Sequence, residues 1–310
     1  MTDERGVIEG QALLDLSHLT SADELAAITR ISQVGAVLLP ESLAGAYAAI
    51  SISEVGATIF VPDGLKARVH VGPLVVGGDG IGAPDEMLVV VGILVITGPV
   101  TGEVPGRISV VGSVYAPRGS EGALSRAFGG GVGTVTYYRY PDGESGPFVK
   151  VLSGQVRLTG AALANRTGEP SDILVAAGQV IITGEVGPIG YSQILVAGQV
   201  LAPEAAQAEL ETRMDAQGQT VWYRSGDPRL FFEDVELGPD YFRLLDHPIS
   251  LIALGDLTIG AGVTSELLRE HVADIVLLGD VLAPAEAVSA VQVLTTAVLG
   301  QIRIADGSRG

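Results

Sequence analysis

The stretch ILVAGQVLAP (residues 194–203) has three near-copies in the same chain: ISQVGAVLLP (31–40), ISVVGSVYAP (108–117) and IVLLGDVLAP (275–284). Every copy opens on Ile, carries Gly fifth and Pro tenth, and the copies start 77, 86 and 81 residues apart. Within the quoted copy, Ile194, Val196, Gly198 and Val200 alternate with Leu195, Ala197, Gln199 and Leu201. A period of two is a β-strand, and apolar residues on both faces mean that both faces are covered. After the Pro, the segments EAAQAELETRM, AEAVSAVQVL and RGSEGALSRAF space Ala and Leu by three and four residues, which predicts a short helix with Pro near its first turn. A Gly (Gly56, Gly133, Gly218, Gly300) then precedes a further apolar run in each case: ATIFVP, TVTYYRY, QTVWYR, QIRIAD.

Related runs fill the intervals, among them MLVVVGILVITG (87–98), ILVAAGQVIITG (173–184) and ISLIALGDLTIG (249–260). The period of about 80 residues therefore holds about four strand-bearing segments of about 20 residues, the length of one solenoid coil. No such coil buries its apolar face alone, so each uses its neighbour as cover, and Gly at the fifth position suits a bend or close backbone approach. The expected fold is a mainly parallel β repeat solenoid with short helices. It has an N-terminal capping segment over 1–30 and one continuous array over 31–310, divided into 31–107, 108–193, 194–274 and a partial 275–310. The alternative is a doubly wound α/β fold, which needs longer helices than these.

The decamer followed by a helix, and VLSGQVRLTGAALAN (151–165), resemble leucine-rich-repeat and parallel β-solenoid proteins, at the level of architecture and over most of the chain. Gly replaces the Asn that usually follows the strand in leucine-rich repeats, and Val and Ile outnumber Leu, which pulls toward a β-helix. No residue-level functional motif carries over from either group.

Composition narrows the function. The net charge of −18 argues against nucleic acid and anionic membrane surfaces, both of which require a basic face. There is no cysteine, hence no disulfide, thiolate metal site or cysteine nucleophile. The longest apolar stretch, MLVVVGILVI (87–96), is too short to span a bilayer, and the acidic start MTDERGVIEG is no signal peptide, so a cytoplasmic protein is expected. Only Lys66 and Lys150 are lysines, against sixteen arginines, a skew that fits a GC-rich bacterial genome.

Candidate chemistry is sparse, and no cofactor or metal is expected. GDGIGA (78–83) has dinucleotide-loop spacing, but Pro84-Asp85-Glu86 leads into a strand where that loop needs a helix. GGGVG (129–133) lacks the Lys-Ser/Thr of a phosphate loop and reads as a helix cap and turn. Asp79, Asp85 and Glu86 lack calcium-ligand periodicity, and His18, His70, His247 and His271 are scattered. Asn165-Arg166-Thr167 is a formal glycosylation triplet without relevance in a cytoplasmic chain. The densest acidic group, Asp227, Glu233, Asp234 and Glu236, interrupts the repeat rhythm and keeps a carbohydrate-active β-helix enzyme as a third reading.

Two surfaces stand out. Aligned on the second Gly, Phe60, Tyr137 and Trp222 share one column, Val61, Tyr138 and Tyr223 the next, and Arg139 and Arg224 follow. One column must face outward and has the composition of a protein-binding hot spot, unless the rings wedge the interior. At the start, Ser21-Ala-Asp-Glu24 is a capping box opening a helix over the first coil. At the other end, Ile302 and Ile304 share one face of the run 301–306, with Arg303 on the other. An uncapped strand there is expected to pair with another chain. The leading expectation is a non-catalytic scaffold that self-associates, favouring a closed dimer. The alternative is a monomeric module presenting the aromatic face to a protein partner.

Overall fold

The computed structural model describes residues 6–141, 146–225 and 228–305. The chain forms two compact units, Met1–Phe148 and Val149–Gly310. In the first, β1 (Val7–Glu9) and β2 (Leu13–Asp15) pair with the two halves of β3 (Arg30–Pro40), whose far edge takes β4 (Ser51–Val61). A second sheet runs in sequence order through β5 (Lys66–Val76), β6 (Glu86–Ile96), β7 (Arg107–Pro117) and β8 (Phe128–Tyr138).

The second unit opens with β9 (Val149–Thr159) and β10 (Ile173–Thr183). The next layer is split into β11 (Gln193–Ala197) and β12 (Val200–Pro203), and the last into β13 (Met214–Ala216) and β14 (Thr220–Tyr223). From there every layer is split. The four first halves, β15 (Pro228–Phe231), β17 (Ile249–Ala253), β19 (Val272–Leu277) and β21 (Thr295–Val298), make a fourth sheet. The four second halves, β16 (Val235–Leu237), β18 (Leu257–Ile259), β20 (Val281–Ala283) and β22 (Ile302–Ile304), make a fifth.

Among the described residues every strand pair is parallel and joins consecutive layers. Helices are confined to short crossovers. The longest, Ala285–Leu294, has ten residues, too short for the layers of a doubly wound fold. The four decamers are β3, β7, β11 with β12, and β19 with β20. Each is the last-but-one layer of its sheet, and each is followed by a helix, at Ala44–Tyr47, Glu121–Ala127, Gln207–Glu211 and Ala285–Leu294.

The fifth-position Gly marks the corner between strand halves, where the layers touch backbone to backbone. A Cβ on Gly112 (φ 138°) would lie 1.9 Å from the carbonyl oxygen of Gly92, and one on Gly133 would lie 1.7 Å from that of Gly112. No side chain fits there, so the position is Gly in layer after layer. The second Gly is therefore a corner too and does not open a new strand: Gly56 and Gly133 lie inside β4 and β8. GGGVG likewise lies in β8, just after the helix ending at Ala127, and forms no turn.

Alternation then divides the layers of the first and third sheets between two cores. Residues such as Leu174, Ala176, Ile194 and Val196 face inward onto their own crossover residues, Leu163, Ala206 and Leu210. On the alternate face, residues of the second strand halves face the next sheet. In the first unit Leu38, Ile59 and Val61 pack with Met87 and Val89; in the second, Ile181, Leu201 and Val221 pack with Ile252 and Val276. In both units the second halves of one sheet's strands cover the first halves of the next sheet's.

Candidate interaction site

The aromatic columns separate once the ladder phase is known. Thr97 N–H donates to the Val76 carbonyl on one side (2.8 Å), and Arg118 N–H donates to the Tyr138 carbonyl on the other (2.9 Å). Bonds alternate sides along a parallel strand, so the nitrogen of residue 117 is aimed back at the carbonyl of Ile96. Residue 117 is Pro and has no hydrogen to give. The Tyr138 hydroxyl, from the following layer, donates to Ile96 O at 2.5 Å instead. The third sheet repeats the arrangement: Pro203 cannot serve Ile182, and the Tyr223 hydroxyl donates to Ile182 O at 2.6 Å. In the first sheet the nitrogen of Pro40 is aimed, in the same phase, at the Leu16 carbonyl, which accepts from Leu19 N–H at 3.1 Å, and the place of the tyrosine is taken by Val61.

These tyrosines are therefore internal donors. Tyr138 and Tyr223 are buried, and that burial pushes both phenols well above the ordinary tyrosine range. They leave the candidate surface, because a buried donor to a backbone carbonyl cannot also meet a partner. Of the other column, Tyr137 and Trp222 are half-buried against their own sheets' cores. Phe60 is 38% exposed and packs edge-on against Tyr47, with ring centroids 6.4 Å apart. Arg139 and Arg224 are exposed, and Arg224 gives its backbone N–H to both oxygens of Asp274 at 3.2 Å. No continuous aromatic face is assembled by these residues.

The carboxylates have structural partners. Asp234, Asp256 and Asp280 follow the corner in successive layers, and each Oδ1 accepts the backbone N–H of the corresponding residue in the next layer at 2.9 Å: Asp256, Asp280 and Gln301. Gln155, Gln179 and Gln199 form the equivalent amide ladder in the third sheet, at 2.8 and 3.0 Å. Glu233 and Glu236 are exposed, and Asp227 lies outside the described residues. Asp274 is fully buried and accepts from the Ser250 hydroxyl and the Arg224 amide, while Ser250 Oγ accepts from Ser225 N–H at 2.8 Å. This cluster anchors the segment leaving the third sheet, and nothing in the periodicity of the sequence marks it.

No family model matches this chain, and neither a curated protein nor a solved structure resembles it significantly. Among the described residues no three His, Cys, Asp or Glu side chains are grouped to hold a metal ion, and no helix is long and apolar enough to cross a membrane. GDG of the GDGIGA segment forms a single 3₁₀ turn, Gly78–Gly80. The Asn165 amide donates to Asp172 Oδ2 at 3.0 Å and so clasps its own loop. Glu24 accepts from the N–H groups of Thr20 and Ser21 at 2.7 and 3.0 Å, which holds its carboxyl below the usual range and caps the short helix Ala22–Leu25.

Exposed aliphatic side chains occur on the last described layer of the fourth and fifth sheets, at Val298, Leu299 and Ile304, and on the helix that precedes it, at Val293. Val293, Val298, Leu299 and Ile304 are 73%, 45%, 64% and 58% exposed. The two isoleucines share a face but not a fate: Ile302 packs half-buried on its own core, whereas Ile304 is open. Arg303, on the opposite face, is tied to Asp280 at 3.0 Å and to Gln301.

Proposed function

We propose that this chain is a non-catalytic structural scaffold, a stack of parallel layers of leucine-rich-repeat-like or β-helix-like cross-section, that associates with a second copy of itself. The carrying observation is the exposure of the aliphatic side chains Val298, Leu299 and Ile304 on the edge layer. Covering an aliphatic side chain completely contributes about 1.5–3 kcal/mol, and an edge strand gains hydrogen-bonded neighbours as well. On the opposite face of the same strand, Arg303 is paired with Asp280. A closed two-fold contact would cover those aliphatic side chains on both copies at once. Asp274, Asp172 and the Asp234–Asp256–Asp280 ladder accept from backbone amides, which supports the scaffold reading over an enzyme.

The test is the pair Val298→Lys, Ile304→Lys, which spares Ile302 because that residue belongs to the chain's own core. Light scattering on the purified protein should give a dimer for the native chain and a folded monomer for the variant. A native chain that is monomeric across protein and salt concentrations removes the proposal.

A further inference from the structure

A cleft of about 330 Å³ opens at one end of the third sheet, where β10, β12 and β14 finish. Its lining is largely apolar: Pro203 ends β12, Ala206 follows in the 3₁₀ turn Glu204–Ala206, and Val186 comes from the crossover after β10. Two charged side chains line it as well, Glu185 beside Val186 and Arg224 directly after Tyr223, and both are exposed. No ion pair joins them. Among the described residues, neither the Glu185 carboxylate nor the Arg224 guanidinium has a hydrogen-bonded or ionic partner.

The backbone around the cleft is satisfied and held in place. The Tyr223 hydroxyl serves the Ile182 carbonyl that Pro203 cannot serve. Arg224 is fixed at its backbone N–H by both oxygens of the buried Asp274. Gly160, also buried, packs so closely on the Glu185 carbonyl that a Cβ there would overlap it. In the equivalent place of the second sheet, Ser120 Oγ accepts from Val100 N–H at 3.0 Å and ties two crossovers together. Ala206 stands in the place of Ser120 and Val186 in that of Val100, so that bond cannot form, and the cleft lies between the two crossovers.

We propose that this cleft binds a small zwitterion, an α-amino acid with an aliphatic side chain. A guanidinium fork matches a carboxylate in two parallel hydrogen bonds, so Arg224 takes the ligand's carboxylate. Glu185 takes its ammonium, and the side chain lies on Val186, Pro203 and Ala206. A lone carboxylate would bring its charge up to Glu185, and a lone amine would bring its charge up to Arg224. Only a molecule carrying both charges complements both side chains. The volume is at the low end of the range for small-molecule clefts, roughly 300–1,000 Å³, which suits a ligand of that size. None of the residues involved belongs to the layer of β21 and β22, so the site stands apart from the proposed self-association.

Titration calorimetry of the full chain with L-leucine tests the site. Saturable binding is expected, and Arg224→Gln and Glu185→Gln should each weaken it at least about tenfold through loss of a charge-assisted contact. Both side chains are exposed, so circular dichroism should not change in either variant. Ala205→Leu fills the cleft from an exposed position without touching a charge, and should abolish binding. N-acetylleucine and leucine methyl ester each remove one ligand charge. The acetylated form should bind the native chain at least about tenfold more weakly than leucine does, and should lose nothing further in Glu185→Gln. The ester should behave in the same way with Arg224→Gln. No saturation by leucine, valine or alanine at about 10 mM, where a Kd of about 1 mM would leave the site nearly full, overturns the proposal. Binding that all three variants leave unchanged also overturns it, and so does N-acetylleucine binding as tightly as leucine.

Discussion

The third and fifth sheets use one position in opposite ways. Three residues beyond the corner, the third sheet has exposed Arg157 in its opening layer and then Ile181, Leu201 and Val221, all buried against Ile252 and Val276 of the fourth sheet. The fifth sheet has Glu236, Thr258, Leu282 and Arg303 at that position, none of them buried. Backbone pairing is the same in both, parallel and layer by layer. The side chains of one column thus decide whether a sheet face is joined or left to solvent. The first sheet agrees with the third: Leu38 and Ile59 are at the same offset, and both are buried against the second sheet.

The most severe challenge to the contrast is a charge placed on the joined side. Leu201 is wholly buried between β10, β14 and the facing sheet. Leu201→Lys should cost at least 3–5 kcal/mol, roughly the range for leaving a charge buried without a partner, and should unfold the second unit at ordinary temperature. A thermal melt within a few degrees of the native protein would mean that the sheets are not joined there. Leu201→Ala, which leaves a cavity, should cost about 2–5 kcal/mol.

Tyr223 probes the joined face from within, since its ring lies in the same cluster and its hydroxyl substitutes for a proline. Tyr223→Phe leaves the Ile182 carbonyl without its donor, an expected loss of about 1–3 kcal/mol by chemical denaturation. Pro203→Ala restores an N–H aimed at the same carbonyl, so in the Tyr223→Phe background it should recover part of that loss. In the native background, where the carbonyl is already served, it should recover nothing. Equal effects in both backgrounds would separate the proline from the tyrosine. Burial raises the folded pKa of Tyr223 and Tyr138 above that of the unfolded phenol, about 10. Their contribution is therefore complete below pH ~10 and is lost as pH rises from there toward the folded value. Replacing both with Phe should flatten the alkaline limb of the stability profile, and an unchanged limb counts against internal donation by these hydroxyls.

Much of the layering is legible in the sequence. Period-two alternation on both faces, the corner Gly and the Pro-led crossover are local signals, and each lies within one decamer. The column that separates a joined face from an open one is not local. It emerges only when layers about 20 residues apart are laid in register, and that register depends on where each corner falls. The same holds for Pro203 and Tyr223, which look unrelated until the ladder phase shows that one lacks the proton the other supplies. Lys66 and Lys150 read in the sequence as genome composition, and only the register shows that they stand opposite Glu86 and Leu174. Ile302 and Ile304 do share one face; that one of them packs on its own core depends on the side chains of the helix Ala285–Leu294 and of β20, which strand periodicity does not contain.

The smallest effect is expected at Leu282, the one apolar member of the open column. It is 39% exposed on the fifth sheet, between Thr258 on β18 and Arg303 on β22. A partly exposed residue without a buried partner changes stability by about 0.5 kcal/mol or less when replaced, and a lysine stem can lie along the strand with its ammonium in water. Leu282→Lys should therefore melt with the native protein, even though Leu201→Lys, at the same offset from its corner, is ruinous. The substitution also touches the open column without touching the patch at Val298 and Ile304, so the association state should not change either. A loss of several kcal/mol at Leu282 would show that the fifth sheet is covered as the third is, and the distinction between joined and open columns would fall with it. A loss of the dimer without loss of stability would instead move the contact from the strand edge onto this face.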